Sequence, residues 1–524
     1  MDSASAVSGQ VRRRSVSPQT EGISASNGDV PIAKRPRKDI GGKTVHAPRR
    51  KQRKSSAKRK DKTLIGQDAV HQRLADGTDR ESPLRFHDEL ELDIVAISPS
   101  GEGLALTLAE KGPWVVIVPF CLPGEKVKAR IYRNERLHSR ADLLEVVQPN
   151  TEMRDTSQIK CKYFGSCSGC QYQMLPYETQ LKLKRDVVVK AYENYSDIPG
   201  VSLPTIGGTI PSPLQYGYRT KITPHFSPVP RQHRNTEQKF DPDSGDPQPE
   251  WLKIGFNRVG MSSVMDIEEC PIASPTINEA LRSVRHDMMK KIYTFKKDVS
   301  LILRDSLRPD TDEHICVTDH KGRVRERIGD KYFEYSASSF FQNNNGVLVP
   351  LTDYVREAVF PATATVRPTH LVDAYCGAGL FAISLSSHFE RVAGIELSKD
   401  SIQSANHNAE LNDIPSSKCS FRAGDASNIF AAVKDFPPNE TVVIIDPPRK
   451  GCDENFLKQL LVFQPQSVVY VSCNVHTQAR DVGYILRAME AAKSERRYVL
   501  ESLCGFDLFP QTAHVESVAV LRLS

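Results

Sequence analysis

Over residues 346–524, short apolar and β-branched runs alternate with amphipathic stretches. His370–Asp373, Arg391–Ile395, Val442–Ile445, Val468–Val471 and Val518–Leu521 read as buried strands. Leu380–Ser386 and His476–Arg487 read as helices between them. That alternation predicts an open α/β sheet. Residues 88–150 follow a different period. Glu91–Ile97 alternates, Pro99–Gly103 turns, Val115–Val118 is a short apolar run, and Pro123–Glu125 turns into a strict period of two over Val127–Ile131. Small OB-type barrels that bind oligonucleotides show this pattern, and so do barrels that bind nothing. Residues 151–345 are mixed. A helix is expected over Gln180–Tyr195, a loop or insertion over Ser227–Glu250, and strands at Val299–Leu303 and Lys331–Tyr335.

Composition adds the compartment and the partner class. The chain has 524 residues, enough for several domains, and 39% hydrophobic residues, enough for sizeable cores. No apolar run approaches the ~20 residues of a membrane span, and no secretory signal is visible. Eleven cysteines, an odd number, do not resemble a secreted disulfide framework, so free thiols in a reducing compartment are expected.

The net charge of +6 is unevenly spread. Residues 1–62 hold 17 Lys/Arg against 5 Asp/Glu, so the remainder of the chain is acidic. An RNA-binding surface there would have to be a local patch. Residues 1–85 are too poor in apolar side chains to offset chain entropy, and disorder is expected. Their basic clusters, such as Lys34–Lys38 and Arg49–Lys54, suit nuclear import or phosphate attraction, or only solubility.

The candidate chemistry lies at strand ends. Asp373 leads into Ala374-Tyr375-Cys376-Gly377-Ala378-Gly379, where Gly377 and Gly379 permit a tight turn close to a ligand. Glu396, at the end of the next strand, can accept both ribose hydroxyls, and Asp425 can meet an adenine edge. Gly377–Ala382 also fits the dinucleotide fingerprint, which leaves NAD as a rival. The spacing D-x-x-x-G-x-G and the Asp446-Pro447-Pro448 strand end favour S-adenosylmethionine, since hydride transfer has no use for the latter.

Arg449 follows those prolines, and Ser472-Cys473-Asn474 closes the next strand. A thiol there points to uracil rather than to an exocyclic amine. Carbon 5 of uracil is a poor nucleophile until a thiolate adds at carbon 6, and its proton must afterwards be removed. Cys473 can supply the thiolate, and a structural cysteine is the plainer reading. Glu516, just before the last strand, is the candidate base, with Asp507 and His514 as competitors. Cys161, Cys167 and Cys170, spaced C-x5-C-x2-C, together with Cys270 could hold zinc or an iron–sulfur cluster.

Over about residues 90–524 the chain resembles the RNA (uracil-5-)-methyltransferases. The resemblance rests on Ser339–Asn343, Asp373–Gly379, Asp446–Arg449, Ser472–Asn474 and Phe509–Glu516. It implies an α/β protein with a C-terminal Rossmann-like S-adenosylmethionine-dependent sheet over 346–524. A TRAM-type OB-like barrel over 88–150 and a mixed central domain over 151–345 would precede it. By the same resemblance Cys473 is the nucleophile and Glu516 the base. Gln342, Tyr375, Glu396 and Asp446 would contact S-adenosylmethionine, and the four cysteines would hold a 4Fe-4S cluster. The basic tail looks like a eukaryotic, fungal-type addition, which implies uridine 54 in the T arm of tRNA as target, reached by base flipping. No membrane or obligate protein partner is implied, and nucleus or cytoplasm is the expected location. Two alternatives stay open: 5-methyluridine formation in ribosomal RNA, and an RNA-binding or chaperone protein with a vestigial catalytic fold.

Overall fold

The computed structural model describes residues 82–524, apart from 108–113, 199–202, 236, 238, 363–365, 425–429, 431–432 and 493–494. The expectations for the basic tail fall outside the described residues.

Period-two alternation over residues 89–148 produces a closed barrel. Its strands are β1 (Glu89–Ile97), β2 (Gly103–Thr107), β3 (Trp114–Val118), β4 (Lys126–Asn134) and β5 (His138–Gln148), in the order β1-β2-β3-β5-β4. Pairing of β1 with β4 closes the ring, so no strand edge is left open. Leu92, Ile94, Val116, Val127, Ala129 and Ile131 fill the interior, while Lys126, Lys128 and Arg130 alternate outward on β4. A Cβ at Gly103 would lie 2.7 Å from the Cβ of Cys121, so this corner requires glycine. Two of these strands, β2 and β5, were not read from the sequence.

The central segment opens with α1 (Tyr177–Tyr195) and later contributes α2 (Pro275–Lys290), capped by the Ser274 hydroxyl on Ile277 N. Short sheets fill the rest. The run Val299–Leu303 is not one strand. Val299–Ser300 pairs with His225–Phe226, and Leu303–Leu307 joins a different sheet beside Lys221–Ile222 and His314–Val317. The chain switches sheets at this point, and Leu301 N bonds to Pro224 O between the two. The switch places Arg304, fully buried, against the Tyr335 hydroxyl and the carbonyl of Ser339.

After α3 (Leu348–Val359), seven strands form the C-terminal sheet. They are β6 (His370–Ala374), β7 (Arg391–Glu396), β8 (Cys419–Ala423), β9 (Thr441–Ile445), β10 (Ser467–Ser472), β11 (Tyr498–Phe506) and β12 (Glu516–Leu523). The helices between them are α4 (Leu380–Leu385), α5 (Lys399–Leu411), α6 (Glu454–Phe463) and α7 (Val475–Ala491). The order is β8-β7-β6-β9-β10-β12-β11, and β12 alone runs against its neighbours.

Every residue of β9 and β10 is buried, as continuous apolar runs flanked by helices should be. Alternate side chains serve two cores. Leu371, Val442, Ile444 and Val469 face the side of α3 to α5, while Val372, Val443, Ile445 and Val468 face α6 and α7. Helix α1 joins the second core through Val188, Ala191 and Tyr192. It packs on α7 closely enough that a Cβ at Gly483 would overlap Ser196 O. Strand order reverses between β6 and β9, and a crevice outside the carboxyl ends of those strands is where open α/β sheets bind ligands.

Candidate active site

Strand register brings the candidate residues to that crevice. Ala374 pairs with Ile395 on one side and Ile445 on the other. Tyr375, Glu396 and Asp446 therefore leave the sheet along one edge, and Asp446 N bonds to Ala374 O. β10 ends there too. Because β12 is reversed, its first residue stands where β10 finishes. Ser472 is in register with Ser517, so Cys473 and Glu516 sit on adjoining strand ends.

The turn after β6 has the conformation its sequence demands. Tyr375, Gly377 and Gly379 all adopt positive φ, at 64°, 53° and 93°. A Cβ at Gly377 would meet nothing within 4 Å, so the turn leaves open space, whereas one at Gly379 would press on Ile383. Gly377 N reaches Glu396 Oε2 at 3.3 Å, and Ser398 N reaches Oε1 at 2.9 Å. Asp373 is buried. Its Oδ2 accepts Ala382 N at 2.9 Å, while its Oδ1 is without a hydrogen-bond partner. Burial pushes this carboxyl up to about 7, and the nearby charge of Glu396 adds to the rise. Asp446 is raised well above the usual carboxylate range, first by desolvation and then by Glu516 and Asp373.

Cys473 stands between the β10 end and the N-terminus of α7. Asn474 caps that helix, its Oδ1 accepting His476 N at 3.3 Å. A helix N-terminus favours a thiolate. Burial and the charges of Glu516 and Asp446 outweigh it and push the thiol up to about 12, with Arg449 opposing. Glu516 is almost fully buried, and His514 Nε2 lies 3.4 Å from its Oε1.

Other candidates are placed as follows. Asp507 is no base, because it is fully buried in an ion pair with Lys184. Gln342 is buried beside the exposed ring of Phe340, in the segment whose Ser339 carbonyl Arg304 holds. Asp425 lies outside the described residues.

The expectation of a 4Fe-4S cluster finds no support among the described residues. Cys161, Cys167, Cys170 and Cys270 are near enough to feel one another's charge. Burial raises all four thiols, Cys170 up to about 12, and a metal that bound them would release their protons. Among the described residues, no three His, Cys, Asp or Glu side chains are grouped so as to hold a metal ion.

A family model described as tRNA (Uracil-5-)-methyltransferase matches residues 272–523. A Schizosaccharomyces pombe tRNA (uracil(54)-C(5))-methyltransferase is 46% identical over 442 residues, covering 84% of this chain and 79% of the relative. The chain belongs to the tRNA (uracil-5-)-methyltransferase family. A Saccharomyces cerevisiae tRNA (uracil(54)-C(5))-methyltransferase is 37% identical over 490 residues, covering 85% of this chain and 75% of its own. Among solved structures, the Pyrococcus abyssi tRNA (uracil-54, C5)-methyltransferase in complex with S-adenosyl-L-homocysteine shares the fold. It aligns with TM-score 0.57 at 24% identity, covering 82% of this chain and 99% of that one. Membership in this methyltransferase family removes the hydride-transfer reading of the glycine turn.

Sequence reasoning missed two features of the family member's site. Asn474 was read only as part of a motif, yet its Nδ2 donates to Arg449 O at 2.8 Å and ties the two strand-end motifs together. Its position before a helix was the available signal. Asp481 bonds Cys452 N and the Tyr470 hydroxyl, each at 2.8 Å, beneath the Arg449–Gly451 turn. Nothing in the local sequence marked it.

Proposed function

We propose that the protein transfers a methyl group from S-adenosylmethionine to carbon 5 of uridine in tRNA, at position 54 of the T loop. The pairing of Ser472 with Ser517 carries the reading, since it delivers a nucleophile and a base to one edge of the sheet. Both fungal relatives carry position 54 in their names. Those names favour tRNA over ribosomal RNA, and a binding-only protein would not require Cys473 and Glu516 together.

Cys473, its proton released to water, adds to carbon 6 as the thiolate, and carbon 5 becomes nucleophilic as the C5–C6 π bond opens. When bound, S-adenosylmethionine supplies an electrophilic methyl group and leaves as S-adenosylhomocysteine. Glu516 then takes the proton from carbon 5, the C5–C6 double bond re-forms, and Cys473 departs from carbon 6 as thiolate.

The crevice suits a cationic methyl donor. The buried, unpartnered Asp373 Oδ1 and the open space at Gly377 support binding there, with Glu396 placed for the ribose and Tyr375, Gln342, Gly379 and Asp446 around the cofactor. Asp425 belongs to the same assignment from sequence alone. The barrel of β1 to β5, with Lys126, Lys128 and Arg130 outward, would act as the TRAM module that holds the tRNA backbone. The basic clusters of residues 1–62 would direct nuclear import, and deletion of that segment should lower nuclear levels.

The test is covalent trapping. With S-adenosylmethionine and tRNA containing 5-fluorouridine at position 54, fluorine blocks proton removal, so a protein–RNA adduct should accumulate. Cys473→Ser should form none. A methylation-active protein that forms no adduct would overturn the mechanism.

A further inference from the structure

The proposed cycle leaves a proton on Glu516, and that carboxyl is walled in. Its side chain is 4% exposed. Its neighbours are poor outlets. A proton returned to Cys473 would quench the thiolate that the next addition needs, and Asp446 is a desolvated carboxyl raised above the usual range. His514 is different. Its Nε2 is 3.4 Å from Glu516 Oε1, and its side chain is 30% exposed, so it touches both the base and the solvent.

The loop that carries His514 is fixed from several sides. Gln511 adopts φ 69°, its N–H donates to Gln180 Oε1 at 3.0 Å, and its carbonyl accepts Gln171 N and Tyr172 N. Ala513 N reaches Gln171 Oε1 at 3.2 Å. The Thr512 hydroxyl donates to Phe509 O at 2.7 Å and accepts His514 N at 3.3 Å. The His514 ring stands edge-on to Phe509 at 5.1 Å, with the Arg219 guanidinium over that phenyl ring. An imidazole clamped in this way keeps one nitrogen on Glu516. The long separation is one that shortens when a site closes on its substrate.

We propose that His514 is the proton outlet of Glu516. It accepts at Nε2 the proton that Glu516 removed from carbon 5, and the imidazolium passes a proton to water, restoring the carboxylate for the next turnover. This rests on the proposed function. His514 acts through Glu516 and does not touch the reacting atoms.

The experiment compares wild type with His514→Gln in the full chain. Adduct formation with 5-fluorouridine tRNA stops before proton removal, so the variant should match wild type there. Steady-state methylation of normal tRNA should fall by about tenfold or more, less than the ~100-fold or greater loss expected for a group that moves the proton in the transition state itself. Added imidazole should restore it in a concentration-dependent way. Unchanged turnover overturns the proposal. So does an equal loss in both assays without response to imidazole, which is the mark of a structural role. If wild type itself forms no adduct, the proposed function has failed rather than the outlet.

Discussion

Asn474 holds the backbone carbonyl of Arg449 at 2.8 Å through its side-chain amide, while its carbonyl oxygen caps α7. One residue thus fixes the cysteine-bearing strand end to the turn that carries the opposing cation. Asn474→Asp keeps the capping oxygen, loses the donor and adds a negative charge beside Cys473. Asn474→Ala loses both bonds. Thermal unfolding should show the Ala variant destabilised by about 1 kcal/mol and the Asp variant by less, as expected for an N-cap. Both should slow adduct formation, with Asp at least as slow as Ala. An Asp variant of wild-type rate would detach Arg449 from the chemistry.

Lys184 and Asp507 form an ion pair from which solvent is wholly excluded, and Lys184 Nζ also donates to Phe509 O at 3.0 Å. The pair anchors α1 to the loop that ends at Glu516. Lys184→Met would strand a buried carboxylate, at a cost of about 3–5 kcal/mol. Replacing both residues, as Lys184→Met with Asp507→Leu, removes the stranded charge and should recover most of that loss. Denaturant unfolding of the two variants checks this. Equal loss in both would mean that the pair is held by packing and not by charge.

The free protein should present a sluggish thiol at Cys473. Burial raises it to about 12, with the charges of Glu516 and Asp446 adding and Arg449 subtracting. Alkylation proceeds through the thiolate. At fixed pH, Glu516→Gln removes a charge that disfavours the thiolate and should speed alkylation. Arg449→Leu removes one that favours it and should slow the reaction. Each change should be about three- to tenfold, the effect of half to one pKa unit. Site-resolved mass spectrometry with Cys473→Ser as blank reads it. Equal rates in all three proteins would sink the electrostatic account.

The strands of the C-terminal sheet were legible because continuous apolar runs such as Val468–Val471 have no other home than a doubly covered sheet. Their strand-end residues came with them, since Gly377 and Gly379 need positive φ and the prolines after Asp446 stop a ladder. What local sequence could not supply was everything made by chain reversal. That β12 runs antiparallel, so that Glu516 begins it beside Cys473, follows from register across distant segments. The partnership of Lys184 with Asp507 spans more than three hundred residues and has no local signature. Equally silent was the sheet switch after Ser300, because the flanking residues read as one strand until two different partners claim them.

Asp373 links cofactor binding to pH-dependent stability. Its folded value of about 7 lies above the ordinary Asp value of about 3.9 in an unfolded chain. A raised carboxyl contributes stability that is fully present below the unfolded value and is lost as pH rises through the folded one. The unliganded protein should therefore lose stability between pH 4 and pH 8 on this account. Asp373→Asn cannot ionise, so its melting temperature should fall less over that interval. The difference between the two proteins should reach a few kcal/mol, at about 1.4 per pKa unit. Above pH 7 the ionised Asp373 gains a favourable partner when a cationic methyl donor binds. S-adenosylmethionine should then raise the wild-type melting temperature more at pH 8 than at pH 6, and S-adenosylhomocysteine, with its neutral sulfur, should show a weaker trend. Identical pH slopes for wild type and Asp373→Asn, measured by thermal unfolding without ligand, would show that the buried carboxyl does not titrate in this interval.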